Sequence, residues 1–210
     1  MATKNTKKII LKKYNKEFNM TYAQLVSHLL DKYGPAKYDY FFNSTFKSKN
    51  QKISRSAEGL QCHHIDEDKA IMLSTREFAM NNPFEYQKAE RLIYCNIMEH
   101  LLLHVKIMEE PRHPQANKNE VPGIGGAVEF IIRNINDYYD GYQYKRQYWV
   151  RIMSHIKNDF DDYIKILNYL WTVIENNPIY SEMYTKKIVL SLGFYWNIVQ
   201  KVFKALKIKR

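Results

Sequence analysis

Cysteine is scarce in this chain, and its scarcity excludes two common designs. Only Cys62 and Cys95 occur in 210 residues, with no Cys-x-x-Cys pair. A disulfide framework and a cysteine-built structural zinc site are therefore not expected, and a reduced, intracellular setting is. Long apolar runs are also lacking, and none reaches the roughly 20 residues that a membrane helix needs. The stretch from Met1 to Lys13 is charged, with no sustained apolar core behind it, so no signal peptide is read. Acidic residues are outnumbered by Lys and Arg, 22 to 32. That balance admits a polyanionic partner without choosing among nucleic acid, an acidic membrane surface and plain solubility. The expectation is a soluble, cytoplasmic protein.

Glycine and proline number only 7 and 6, and they crowd into residues 111–126 as Pro111, Pro114, Pro122, Gly123, Gly125 and Gly126. Regular structure is not expected there, and the stretch reads as a linker. Its Gly123-Ile124-Gly125-Gly126 lacks the Lys-Ser/Thr and the preceding strand of a phosphate loop. The linker separates two different patterns. Before it, residues 1–16 read as a lysine-rich, solvated tail with one apolar segment at Ile9-Ile10-Leu11. A helix follows, with Thr21 and Gln24 forming a capping box, Leu25, Val26, Leu29 and Leu30 at helical spacing, and Gly34-Pro35 as its stop. After the linker the spacing is helical throughout. Helices are expected over 127–139, over 144–156 and on through 160–175 to Asn176-Asn177-Pro178, and over 183–206. Tyr138, Tyr139, Tyr142, Tyr144, Tyr148, Trp149, Trp171 and Trp196 are expected to form an aromatic core. The basic end, Lys201 to Arg210, reads as a solvated helix face.

Four of the seven histidines lie in two short pieces between Glu58 and Met108, as Cys62-His63-His64-Ile65 and Glu99-His100-Leu101-Leu102-Leu103-His104. The first lies in an extended segment read over Glu58 to Ile65, with Gly59 at its entry, which leads into a turn at Asp66-Glu67-Asp68. A short capped helix is expected over 74–79. The second piece follows a strand at Arg91-Leu92-Ile93-Tyr94-Cys95 and lies on a helix from Asn96 to about Met108. Residues four apart share a helix face, so His100 and His104 point the same way. Adjacent strand residues point oppositely, so only one of His63 and His64 can join them. Three imidazoles would hold a divalent metal with open positions, the pattern of a catalytic site. Satisfied core histidines are the competing reading.

These residues resemble the HNH endonucleases, the ββα-metal nucleases. They are most similar to the phage and mobile-element subgroup that ends in a Glu-His-x-x-x-His helix. The likeness covers about fifty residues and implies an α+β fold, a mainly helical chain carrying a ββα-metal module. It implies that His63, His100 and His104 hold one divalent metal ion, with Mg, Mn, Zn and Ni all compatible. It also makes His64 the general base, whose ordinary pKa of about 6.5 suits proton transfer near neutrality. The resulting activity would be hydrolysis of DNA phosphodiester bonds. At Arg91 the family usually has an asparagine bracing the base-bearing loop, so Arg91 is expected to brace that loop or to contact phosphate. The family's zinc-knuckle cysteines are absent.

The expected organisation is a basic tail and helix over 1–54, an HNH-like module over 55–110, the linker over 111–126, and a helical domain over 127–210. DNA is the expected partner, with Lys47, Lys49, Lys52 and Arg55 contacting it. The helical half is expected to position the module on DNA or to pair two copies of the chain. A non-catalytic DNA-binding or interaction protein with a metal-stabilised scaffold is the rival function, and a nuclease acting on RNA is a weaker one.

Overall fold

A computed structural model describes residues 11–118 and 120–183. The expected helix over 183–206, Trp196 and the basic end at Lys201–Arg210 lie outside the described residues, apart from position 183. The architecture is α+β, mostly helix with one small antiparallel sheet.

The N-terminal segment is not a solvated tail from Leu11 onward. Leu11, Tyr14 and Phe18 are buried around a short helix α1 (Asn15–Phe18). The Asp162 carboxylate accepts the backbone N–H groups of Lys12 and Lys13, both at 2.8 Å. Such a partner more than a hundred residues away leaves no local trace, which is why a lysine-rich stretch reads as tail. Helix α2 (Tyr22–Tyr33) has the expected capping box between Thr21 and Gln24, and Gly34 closes it by donating to Leu30 O at 2.8 Å.

Strand β1 (Gln61–His64) pairs antiparallel with β2 (Leu92–Cys95) in the register His63↔Ile93 and His64↔Leu92. The second strand therefore starts one residue later than expected. Arg91 sits in the 3-10 turn Ala89–Arg91 that leads into it. Between the strands lie a 3-10 turn at Ile65–Asp68 and helix α3 (Arg76–Ala79), where the Thr75 side chain makes no capping bond.

Helix α4 (Ile97–Glu109) begins at Asn96, whose side chain accepts from the N–H groups of Met98 and Glu99 while Glu99 reaches back, a second capping box. Leu101, Leu102, Leu103 and Val105 are fully buried. Apolar residues fall on most faces of this helix, which is buried along nearly its whole length at the centre of the described fold. Each such side chain contributes on the order of 1.5–3 kcal/mol relative to exposure.

The final glycines of the expected linker are helical. A π-helical turn, Gly126–Ile132, runs without a break into α5 (Arg133–Tyr139), and α6 (Gln147–Ser154), α7 (Phe160–Glu175) and α8 (Pro178–Met183) follow. Pro178 does not merely end α7. At the first position of α8 its missing N–H costs nothing. Among the described residues of this half Tyr163 is fully buried and Tyr180 nearly so, whereas Tyr138, Tyr139, Tyr144, Tyr148, Trp149 and Trp171 pack partly buried against the core. Tyr142 is exposed, contrary to expectation.

One hydrophobic cluster runs from Leu11 to Tyr180 and includes residues of α2, β2, α4 and α7. Gly59 shows how the sheet is held to the helices. Its φ of +72° suits glycine, and a Cβ there would lie 2.6 Å from Arg151 O on α6.

Candidate metal centre

The strand pleat separates His63 and His64 as expected. The His63 ring turns towards α4, with centroids 5.1 Å from His100 and 5.4 Å from His104. The His64 ring packs on Tyr40 at 4.5 Å. The 3-10 turn after β1 then curls back and brings in Glu67. Donor atoms of His63, Glu67, His100 and His104 all lie within 4.8 Å of one another, a set that could hold a metal ion.

The outer hydrogen bonds decide which ring nitrogens are available. Gly123 O lies 2.9 Å from His104 Nδ1, and a carbonyl only accepts, so Nδ1 carries the proton and Nε2 is bare. Gln61 Oε1 takes the corresponding place at His100 Nδ1, at 3.0 Å. Tyr22 donates its hydroxyl proton to Ile65 O at 2.8 Å, so its oxygen is left to accept from His63 Nε2 at 3.0 Å. His63 Nδ1 is then buried with no hydrogen-bond partner among the described residues. All three imidazoles thus have one N–H tied to the protein and one lone pair facing the same point, the outer shell that metal-binding histidines usually have. Burial, reinforced by the neighbouring histidines for His63 and His100, pushes all three pKa values down, His104 to about 4. Neutral imidazole is the ligating form.

Three of the six ligand–ligand distances match a tetrahedral ion, and all lie within 4.8 Å. Ligands at ~2.0–2.1 Å in that geometry stand ~3.4 Å apart. His100 Nε2 and His104 Nε2 are 3.3 Å apart, and Glu67 Oε2 is 3.4 Å from His104 Nε2 and 3.6 Å from His63 Nδ1. Burial pushes the Glu67 carboxyl up to about 8, so without a cation it stays largely protonated at neutral pH. Glu67 was not foreseen among the ligands. The sequence marked it only as part of an acidic turn, and a turn has no period from which a side-chain direction can be read.

His64 is buried, with Nε2 3.0 Å from Gln87 Oε1, while Gln87 Nε2 donates to Leu73 O at 3.2 Å. The second bond orients the amide, so Gln87 accepts and His64 carries its proton on Nε2. Its bare Nδ1 faces Glu67 Oε1 at 3.9 Å and has no hydrogen-bond partner among the described residues. Burial draws the His64 pKa down to about 4 against the opposing bond from Gln87.

Arg91 holds Asp66, the residue next to Glu67, through Nε at 2.7 Å and Nη2 at 2.5 Å. Lys69 donates to the same carboxylate at 2.7 Å. Burial raises the Asp66 pKa, but these two cations outweigh it and hold the group below the usual carboxylate range. Arg91 therefore fastens the turn through a carboxylate rather than through its backbone.

Lys47, Lys49 and Lys52 are exposed on the 41–53 loop. Lys49 Nζ lies over the Tyr40 ring, the ring that packs on His64, at 5.3 Å. Arg55 is committed internally, to Glu58, to Tyr33 O and to the face of Tyr94. A cavity of about 590 Å³ opens beside the cluster, with Glu67, His100 and His104 on its wall. No helix among the described residues is long and apolar enough to cross a membrane. No protein-family model, curated protein or solved structure matches this chain.

Proposed function

We propose that this chain is a metal-dependent phosphodiesterase acting on DNA, an HNH-like endonuclease whose two strands and α4 form a ββα-metal module. One observation carries the reading. Three imidazole lone pairs converge on one point, while the histidine next in sequence to one of them presents a bare Nδ1 from the other side of Glu67. The bound ion supplies Lewis-acid stabilisation of charge on the scissile phosphate and the leaving oxygen. His63, His100 and His104 hold that ion, and their outer bonds to Tyr22, Gln61 and Gly123 fix each ring. His64 accepts the proton of the attacking water at Nδ1, and Gln87 keeps its other nitrogen protonated and its ring oriented. Glu67 stands between the ligands and that base, so substrate binding requires its carboxylate to move aside. Lys49 lies on the His64 side, over the Tyr40 ring, with Lys47 and Lys52 exposed on the same loop, and such cationic side chains neutralise phosphates. The reaction proceeds in the cytoplasm on this reading.

The test is incubation of the pure chain with plasmid or single-stranded circular DNA and Mg²⁺, Mn²⁺, Zn²⁺ or Ni²⁺, with a chelator control. Metal-dependent nicking or linearisation is expected. The His64→Ala variant should lose cleavage while keeping about one metal per chain. Intact plasmid and intact single-stranded circular DNA under every ion, or equal cleavage by His64→Ala, would overturn the assignment.

Glu67 also favours a second reading. Three histidines and a carboxylate make four protein ligands, the number typical of a closed structural site. On that reading the ion braces a non-catalytic DNA-binding or interaction scaffold.

A further inference from the structure

The 590 Å³ cavity beside the metal ligands falls in the size range of small-molecule sites, ~300–1,000 Å³. Part of its wall is aromatic and aliphatic, with Phe78, Phe130, Trp149 and Ile71. Phe78 and Phe130 are among the few large apolar side chains left open, at 38% and 49% exposure. No lysine or arginine lines it among the described residues, and Glu67, Glu120 and Glu129 do. A phosphate is therefore a poor occupant, and a flat, uncharged ring with polar edges is a good one.

Two backbone irregularities line this cavity. Met72 takes φ +56°, a left-handed conformation that non-glycine residues rarely adopt. Phe130 projects from the π-helical turn Gly126–Ile132, and such turns concentrate at functional sites. The same turn starts at Gly126, against the His104 ring, so the wall and the metal ligand are set by one segment.

We propose that this cavity is a nucleobase subsite, which takes one unstacked base next to a phosphate held at the metal centre and stacks it on Phe130. The substrate class is then single-stranded or locally unpaired nucleic acid. This rests on the phosphodiesterase reading, because the metal centre gives the cavity a neighbouring phosphate. Aromatic side chains stack on any base face, so one base identity is not required.

The test uses two ligands that differ only in the base, thymidine 5′-monophosphate and 2-deoxyribose 5-phosphate. Their binding is measured by calorimetry on the full chain with and without Mn²⁺. The nucleotide should bind at least about tenfold more tightly, since stacking one base on an aromatic ring is worth roughly that much or more. Phe130→Ala should erase the difference and Phe130→Tyr should keep it. Phe130 is half-exposed, and thermal melting checks that both variants fold. Equal binding of the two ligands by the wild type, or an undiminished preference in folded Phe130→Ala, would overturn the subsite.

Turnover separates this outcome from that of the phosphodiesterase reading. Thymidine 5′-(p-nitrophenyl phosphate) and methyl p-nitrophenyl phosphate share a leaving group. Hydrolysis of both with equal kcat/KM keeps the phosphodiesterase and removes the subsite. A base preference in binding without hydrolysis of either ester keeps the subsite and removes the phosphodiesterase.

Discussion

His100 Nε2 and His104 Nε2 face each other at 3.3 Å with no proton between them, because each ring spends its N–H elsewhere. Two lone pairs at that distance repel, so the arrangement is costly until a cation lies between them. A site assembled this way depends on the groups that hold the rings as much as on the rings.

Gly126 is one of those groups. A Cβ on it would stand 2.2 Å from His104 Cε1, and that ring cannot turn aside without giving up its bond to Gly123 O. Gly126→Ala should displace the ring and weaken metal binding by about 10–100-fold, the usual cost of disturbing an outer shell. Gly125→Ala is the control, because no atom of the described residues lies within 4 Å of its Cβ. Metal affinity measured by competition with a chromophoric chelator checks both. Equal affinities would refute the dependence on Gly126.

Glu67 distinguishes an open site from a closed one. If it only fills a position that substrate takes, Glu67→Ala keeps three histidine ligands, the open pattern of catalytic zinc. The expected outcome is about one metal per chain, bound more weakly, with plasmid cleavage retained. Loss of the metal together with a large drop in melting temperature would instead establish a closed structural site.

The legible parts were those fixed by short-range periods. The i, i+4 spacing put His100 and His104 together, and strand alternation sent His63 and His64 apart. The capping box at Thr21 and Gln24 formed as read. What stayed hidden depends on contacts distant in sequence or on backbone without a period. Gln87 reaches His64 across 23 positions. Asp162 reaches the backbone of Lys12 and Lys13 from the other end of the described chain. Gly123 and Gly126 look like linker residues, and only the close approach of the His104 ring gives them another role. Arg55 reads as a free cation until Glu58 and Tyr94 are seen around it.

Burial of the cluster sets a pH dependence for the metal-free chain. His64 and His104 are held at about 4, against about 6.5 in the unfolded chain. Below about 6.5 the unfolded state therefore gains protons that the folded state refuses, and stability falls as pH drops towards 4. The loss is on the order of 1.4 kcal/mol per pH unit for each group. His63 and His100 are depressed too and act in the same direction. Glu67 has the opposite sign. With its carboxyl raised to about 8, it stabilises at low pH and loses that contribution as pH rises towards 8. Four imidazoles outweigh one carboxyl on the acid side, so stability should peak near pH ~6.5–7. Urea unfolding midpoints at about pH 5, 6.5 and 8 in chelator check this. A midpoint at pH 5 equal to that at 6.5 contradicts it.

Arg91 tests whether a cation near the site serves the turn or the substrate. Its guanidinium grips Asp66 with two nitrogens, and Asp66 is buried with Lys69 as its second side-chain partner among the described residues. Replacing Arg91 with asparagine leaves that carboxylate half-satisfied, which costs roughly 1–3 kcal/mol. The turn that carries Glu67 and follows His64 should loosen, so turnover should fall and metal affinity should weaken slightly. A side chain already spent on Asp66 has little charge to offer a phosphate, so the salt dependence of DNA binding should not change. A phosphate contact predicts otherwise, because losing it lowers the slope of log affinity against log salt by about one counterion. Binding to a short duplex, measured over a salt series for the wild type and Arg91→Asn, separates the two. An unchanged slope with reduced turnover supports the bracing role. A slope lower by about one, with melting temperature unaltered, would make Arg91 a substrate contact.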